Sequence, residues 1–360
     1  MVSEHVPVQW PDSAKVCSER AMLVKIYNAI SRIAGTVVAV FTVALFLPAC
    51  QGGSLSLPPA NRSGESTRSV STAAPSNLLF VSDEINNQIL VFDAAAKTQN
   101  PTPLSGRTIA AGIQGPLGIT TDLAGNLYVA NYLANTVTVY GRGATKPKQT
   151  ISRGLNGPWD VKVDGSGNVY VANQPALLAS SFINEYAAGA SVPEFTWYPP
   201  ENYQLLTGLA LLNPKKPSSI YAAEYTPHGK HAPTWTILAC HRGKPTCAQV
   251  GSALTGRTGG IAVEQSPGGT APFEYLVATE NVVYVYQNSS APVLVDQLPI
   301  QGNTRFIALD ATRSHLFVAN GSSNEIDELA FPKGNIVNRF KSPLSGSSWG
   351  VATDPAGSYF

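Results

Sequence analysis

Charge is scarce in this chain of 360 residues: Asp, Glu, Lys and Arg together make up 13% of it, about half the usual share. The 24 basic and 23 acidic residues nearly cancel, to a formal charge of +1. No Lys/Arg cluster stands out, which argues against a nucleic-acid surface, since that needs a concentrated basic patch. There is no G-x-S-x-G, no phosphate-cradling glycine loop and no H-E-x-x-H. The usual warrants for a serine hydrolase, a nucleotide site or a zinc protease are therefore missing, although an enzyme is not thereby excluded. Long apolar runs are missing too, apart from one near the N-terminus. What the chain does have is glycine (31) and proline (27), with Val, Ile, Thr and Tyr in short runs. That composition suits many short strands joined by tight turns.

The one apolar run, Ile33 to Leu47, follows Lys25 and Arg32. At helical rise it reaches roughly 22 Å, short of the ~30 Å hydrocarbon core, and so fits a signal-peptide core better than a spanning helix. Leu47-Pro48-Ala49-Cys50 then resembles the bacterial lipobox, with proline at the position where Ala, Ser or Thr is more usual. The resemblance implies cleavage before Cys50 and acylation of its thiol. Residues 1–49 are then a lipoprotein signal peptide, with Met22 an alternative start, and an uncleaved anchor helix is the other reading. Residues 50–76 lack any hydrophobic period and are rich in Ser, Gly, Pro and Ala, as a lipid-anchored flexible tether would be. The expected address is an exported cell-envelope lipoprotein, at the outer membrane or cell surface; Gln51 in place of Asp allows outer-membrane sorting.

From residue 77 to 360 the chain repeats itself. The clearest copies are Gly115 to Asn131 (GPLGITTDLAGNLYVAN) and Gly157 to Asn173 (GPWDVKVDGSGNVYVAN). Aligned first strands carry Ile119, Val161, Leu209, Ile261, Ile307 and Val351, at intervals of about 42 to 52 residues, a spacing close to that of four-stranded propeller blades. Second, third and weaker fourth strands follow each, with the alternation of half-buried sheet. The N-terminal part opens on a second strand (77–83) with no first strand before it, and the chain closes on a first strand (348–354). Pairing the two predicts an all-β ring of six blades, four antiparallel strands each, with no free edges. Pro355 to Phe360 begins to repeat a second strand already supplied, which keeps seven blades as the alternative.

The unit resembles that of NHL-repeat and gluconolactonase-like β-propellers over roughly residues 77–354. The copies at 115–140 and 157–186 carry the pattern in full; the copy at 207–225 lacks its Asp and Gly-Asn. Gluconolactonase-like enzymes hold a divalent cation on the axis with Glu, Asn and Asp side chains. Among the aligned ring positions here only Asp160 is acidic, so neither metal nor cofactor is expected, and the activity does not carry over. Streptogramin-lyase-like propellers use a His and Mg²⁺ site, but none of the five histidines falls at a ring position. A lactone hydrolase or lyase remains the alternative, with a divalent cation.

The recurring Asp122, Asp164, Asp310 and Asp354 sit where Asp bonds its own backbone and stabilises a turn. Entrances to the first strands line the channel of such rings, which makes Trp159, Asp160, Arg305, Phe306 and Trp349 the candidate ligand-binding residues. Asp160 and Arg305 are expected to face each other across the mouth, with Trp159 and Trp349 near. An acid, a guanidinium and flat aromatics suit a polar organic ligand such as a sugar or peptide; the plainer reading is a solvated ion pair and packing. Cys240 and Cys247 flank the turn HRGKPT, and a hairpin disulfide is favoured over a zinc site with His228, His231 and His241. The loop at 194–203, with Phe195, Trp197, Tyr198 and Tyr203, is a contact surface or a covered blade junction. The function expected is an envelope-tethered, monomeric propeller that binds a carbohydrate, peptide or protein, without evident catalysis.

Overall fold

Apolar alternation with Val, Ile and Tyr makes strands here, and Asp-Gly-Asn turns return them antiparallel. The computed structural model describes residues 77–354 apart from 99, 176–179, 201–204, 213–218, 228–232, 256, 265–273, 288–292 and 342–347. The signal, lipobox and tether readings, Pro355 to Phe360, His228, His231 and Tyr203 lie outside the described residues. Among these residues there are 23 strands and no helix, and the strands form six sheets.

Five sheets are successive four-stranded meanders. Blade 2 is Pro116–Thr121, Leu127–Asn131, Thr136–Tyr140 and Pro147–Ile151. Blade 3 is Pro158–Val163, Val169–Asn173, Phe182–Tyr186 and the short Phe195–Trp197. Blade 4 comprises Leu205–Leu212, Ser219–Thr226, Thr234–Cys240 and Ala248–Thr255. Blade 5 comprises Thr258–Glu264, Glu274–Thr279, Val282–Gln287 and Val293–Pro299. Blade 6 runs through Thr304–Leu309, His315–Asn320, Glu325–Ala330 and Ile336–Lys341.

Blade 1 is composite. Leu78–Asp83 pairs on one side with Gln88–Asp93 and on the other with Ser348–Asp354, in the register Leu79 to Thr353 and Val81 to Val351. Its fourth strand is reduced to one bridge: Ile89 and Ile109 exchange backbone bonds of 2.8 and 3.0 Å. The first strand of each blade packs against the first strand of the next, and Ser348–Asp354 lies between those of blades 6 and 2. The ring therefore closes at six. The fold is an all-β, six-bladed propeller.

Packing, more than hydrogen bonding, joins the blades. Six apolar clusters fill the six junctions; between blades 2 and 3, for instance, Val139 and Ile151 meet Val161 and Val171, all fully buried. Each such side chain contributes roughly 1.5–3 kcal/mol by leaving water. Threonine and serine hydroxyls add bonds across the seam: Thr121 donates to the Thr353 carbonyl (2.6 Å), Thr353 to that of Leu309 (2.9 Å) and Ser82 to that of Leu117 (2.7 Å). First strands approach one another so closely that a Cβ on Gly350 would collide with the Leu117 carbonyl. That crowding is why glycine recurs there.

The predicted turn role holds for Asp122, Asp164 and Asp310, the last accepting from the amides of Ser314 (2.9 Å) and His315 (3.0 Å). The turn after Asp354 lies outside the described residues. Asp122 accepts from the amides of Ala124 (2.9 Å) and Asn126 (2.8 Å), from the Asn126 side chain (2.6 Å) and from the Tyr128 hydroxyl (3.2 Å). Asp164 repeats the set with Ser166, Asn168 and Tyr170. Cys240 and Cys247 are paired through their sulfurs across the turn, with Cα atoms 4.3 Å apart.

Candidate functional site

The starts of the first strands converge on one end of the channel. Trp159, Thr207, Gly259, Arg305 and Trp349 border a hollow there of about 450 Å³, which counts its open side. The Arg305 guanidinium lies 3.8 Å from the centroid of the Trp349 ring, a cation–π contact. Trp159 meets Trp349 edge-on at 5.4 Å, and Tyr132 meets Trp159 edge-on at 5.8 Å. Four of the five expected residues, Trp159, Arg305, Phe306 and Trp349, thus border one hollow. Phe306 and Trp349 are also largely buried, at 5% and 7% exposed, and pack in the cluster between blades 6 and 1.

Asp160 departs from expectation. It is wholly buried and does not border the hollow. Its carboxylate accepts from Lys162 Nζ at 2.9 and 3.0 Å, from its own neighbour Val161 N at 2.8 Å, and from Leu209 N of blade 4 at 2.8 Å. The physical reason is a bulge. The pairing of Pro158–Val163 shifts register between Pro158 and Asp160, which takes Asp160 out of simple alternation. Its side chain then points into the junction, where the other blades carry Gly118, Gly208, Gly260, Phe306 and Gly350. Burial pushes the Asp160 carboxyl up from its ordinary range, and Lys162 opposes this. The pair expected across the mouth, Asp160 with Arg305, is replaced by Asp160 with Lys162. What borders the hollow is cationic on balance: Arg305 and Arg257, with Glu280 set 3.7 Å from Arg257.

Deeper in the channel the six first strands contribute Ala352, Thr120, Lys162, Ala210, Ala262 and Ala308 to a cavity of about 630 Å³, open end included. These six positions offer one hydroxyl and no carboxylate, whereas a hard cation needs several oxygens together. No group of three or more His, Cys, Asp or Glu is placed to hold a metal ion among the described residues. His241 Nδ1 is 3.0 Å from Ser219 Oγ.

The aromatic loop forms a seam between blades. Trp197 is 1% exposed and donates from Nε1 to the His241 carbonyl of blade 4 (3.0 Å). Phe195 packs on it at 4.6 Å. Tyr198 exchanges backbone bonds with Pro245 and Cys247 while its ring stays half exposed. Behind this seam lies a second cleft that sequence reasoning missed, lined by Glu185 and Arg242. A signal was present: Glu185 stands where the matching copy has Val139.

No protein-family model matches the chain, and no curated protein does either. Solved structures do. A chain of a nidogen/laminin complex superposes with a TM-score of 0.55 at 9% identity, covering 77% of this chain and 98% of that one. Hydrazine synthase from Kuenenia stuttgartiensis gives 0.52 at 15% identity, over 75% of this chain and 81% of its own. A protein of unknown function from Desulfotomaculum acetoxidans DSM 771 gives 0.52 at 14%, over 77% and 98%. At such identities the likeness shows the fold alone, a β-propeller.

Proposed function

We propose that this chain is an envelope-tethered binding propeller of NHL-like repeats, whose channel mouth takes a polar organic ligand: a carbohydrate, a peptide or a segment of a partner protein. One observation carries the reading: the Arg305 guanidinium seated 3.8 Å over Trp349, with Trp159 beside it at the rim of a hollow. A planar, permanently charged donor held on an aromatic face is preorganised for a carboxylate or hydroxyl pair. Trp159 is only half buried and Phe306 supports from behind. In this reading Asp160 is a positioning residue: it fixes Lys162 and the blade 3–blade 4 junction.

The tether reading rests on Cys50 within the lipobox-like Leu47–Cys50, followed by a polar, unpatterned stretch. Export agrees with the Cys240–Cys247 pairing, since such bonds persist in oxidising compartments. A glycan and peptide binding screen on the intact chain tests the mouth, with Arg305→Ala as the probe variant. The expected result is a hit whose affinity falls about tenfold, as for loss of a charge-assisted hydrogen bond. A hit unchanged in Arg305→Ala places the ligand elsewhere. Acyl labelling of cells that express the full gene, with and without Cys50→Ala, tests the anchor; no label on the wild type rejects it.

A further inference from the structure

In every blade the third strand sets one side chain directly opposite an aromatic residue of the second strand; blades 4 and 5 place Ala239 and Tyr286 there. In the other four the pairs are Val91 with Phe80, Val139 with Tyr128, Glu185 with Tyr170 and Glu328 with Phe317. Buried valine serves this position in blades 1 and 2, so packing alone does not call for an acid. In blade 6 the acid has a neighbour: His315 Nε2 stands 3.8 Å from Glu328. In blade 3 the acid also has a cationic neighbour, yet one of its oxygens is left over.

Glu185 is 2% exposed, and its Oε2 has no hydrogen-bond partner. Its Oε1 lies 3.4 Å from the Tyr170 hydroxyl and 3.3 Å from Arg242 Nη2. An orphaned buried carboxylate oxygen is costly unless something arrives to satisfy it. This residue lines a cleft of about 660 Å³, open side included, at the end of blade 3 opposite Trp159. Asp164, Tyr170, Trp197 and Ser219 line it with Glu185, and Arg242 stands at its rim. Arg242 is 61% exposed and reaches Glu194 as well, at 3.0 Å. One exposed guanidinium thus serves Glu185 and Glu194, and a third carboxylate, Asp164, lies within the same cleft.

We propose that this cleft between blades 3 and 4 binds an organic cation, a primary ammonium or guanidinium group, with Glu185 as its anionic seat and Arg242 as a resident stand-in that the ligand displaces. Tyr170 and Trp197 supply the aromatic wall that such cations favour. A metal ion fits less well. Asp164 has both oxygens committed to its turn, to Ser166, Asn168 and Tyr170. That leaves the single open oxygen of Glu185, which suits one N–H donor better than a shell of six to eight oxygens.

The test is calorimetric titration of the full chain with butylammonium and butylguanidinium, with butanol and butyrate as controls. The cations are expected to bind and the controls are not. Glu185→Gln keeps the shape and should weaken cation binding about tenfold, the loss of one charge-assisted bond. Arg242→Ala removes the stand-in without touching the seat, and should tighten binding several-fold. Absence of cation binding, equal binding of butanol, or an unchanged affinity in Glu185→Gln overturns the proposal. So does weaker binding in Arg242→Ala, or a calcium titration that binds and is lost in Glu185→Gln.

Discussion

At the scale of single residues, two buried acids show how environment divides one chemistry into two roles. Asp160 is surrounded by donors, from Lys162, Val161 and Leu209, and is a structural pin. Glu185 lacks a partner for one oxygen; burial pushes its carboxyl up, Arg242 opposes, and Glu194 and Asp164 add to the rise. Stability attached to such a raised carboxyl is fully present below its ordinary pKa and lost as pH rises through the folded value. Replacing Glu185 by valine, the residue at the matching position of blade 2, should therefore stabilise the protein at pH 7 by about 1–2 kcal/mol. The gain should shrink as pH falls toward the ordinary carboxylate range, where Glu185 is protonated folded or unfolded. Urea denaturation at several pH values measures this. A destabilised Glu185→Val would make the acid structural.

Among the elements, the hairpins between second and third strands do more than reverse the chain. Asn87, Asn135 and Asn324 each occupy the left-handed region there, with φ near 53–57°. Asn87 Oδ1 accepts from Gly115 N at 2.7 Å, and Asn135 Oδ1 from Gly157 N at 2.6 Å. Each of these two hairpins thereby holds the entry to the next blade. Their partners in the repeat, Asn131 and Asn173, accept from Gln114 and Asn156 just before those glycines. Asn135→Gly keeps the backbone conformation and loses the bond, and should cost about 1 kcal/mol. Asn135→Ala loses both, and should cost about 1 kcal/mol more. Equal melting temperatures for the two variants would show that backbone conformation contributes nothing.

For the molecule as a whole, closure is the decisive act. Ser348–Asp354 is the first strand of a blade whose other strands lie at the opposite end of the chain. It also supplies Trp349 and Val351 to one junction and Ala352 to the next. A chain stopped after Lys341 would expose Leu78–Asp83, buried along its whole length, as a hydrophobic edge, the kind that recruits other chains. We expect that truncation to lose the cooperative melt and to run as aggregates on size exclusion. A monomeric truncated form melting as the full chain does would mean that the ring tolerates a gap.

The sequence by itself left closure at six or seven blades to the pairing of distant strands, and determined the strand order, the blade spacing and the turn role of Asp122 and Asp164. Those are local: each turn aspartate bonds partners within six residues, so a repeated motif displays its own chemistry. The mouth was legible in part, because Trp159, Arg305 and Trp349 open their strands at equivalent places. Tertiary structure alone decided the rest. A bulge turned Asp160 toward Leu209, 49 residues away. The seam of blades 3 and 4 drew Glu185 out of water beside Arg242. Where a side chain points, and what it meets, depends on a neighbouring blade that alternation along one strand does not see.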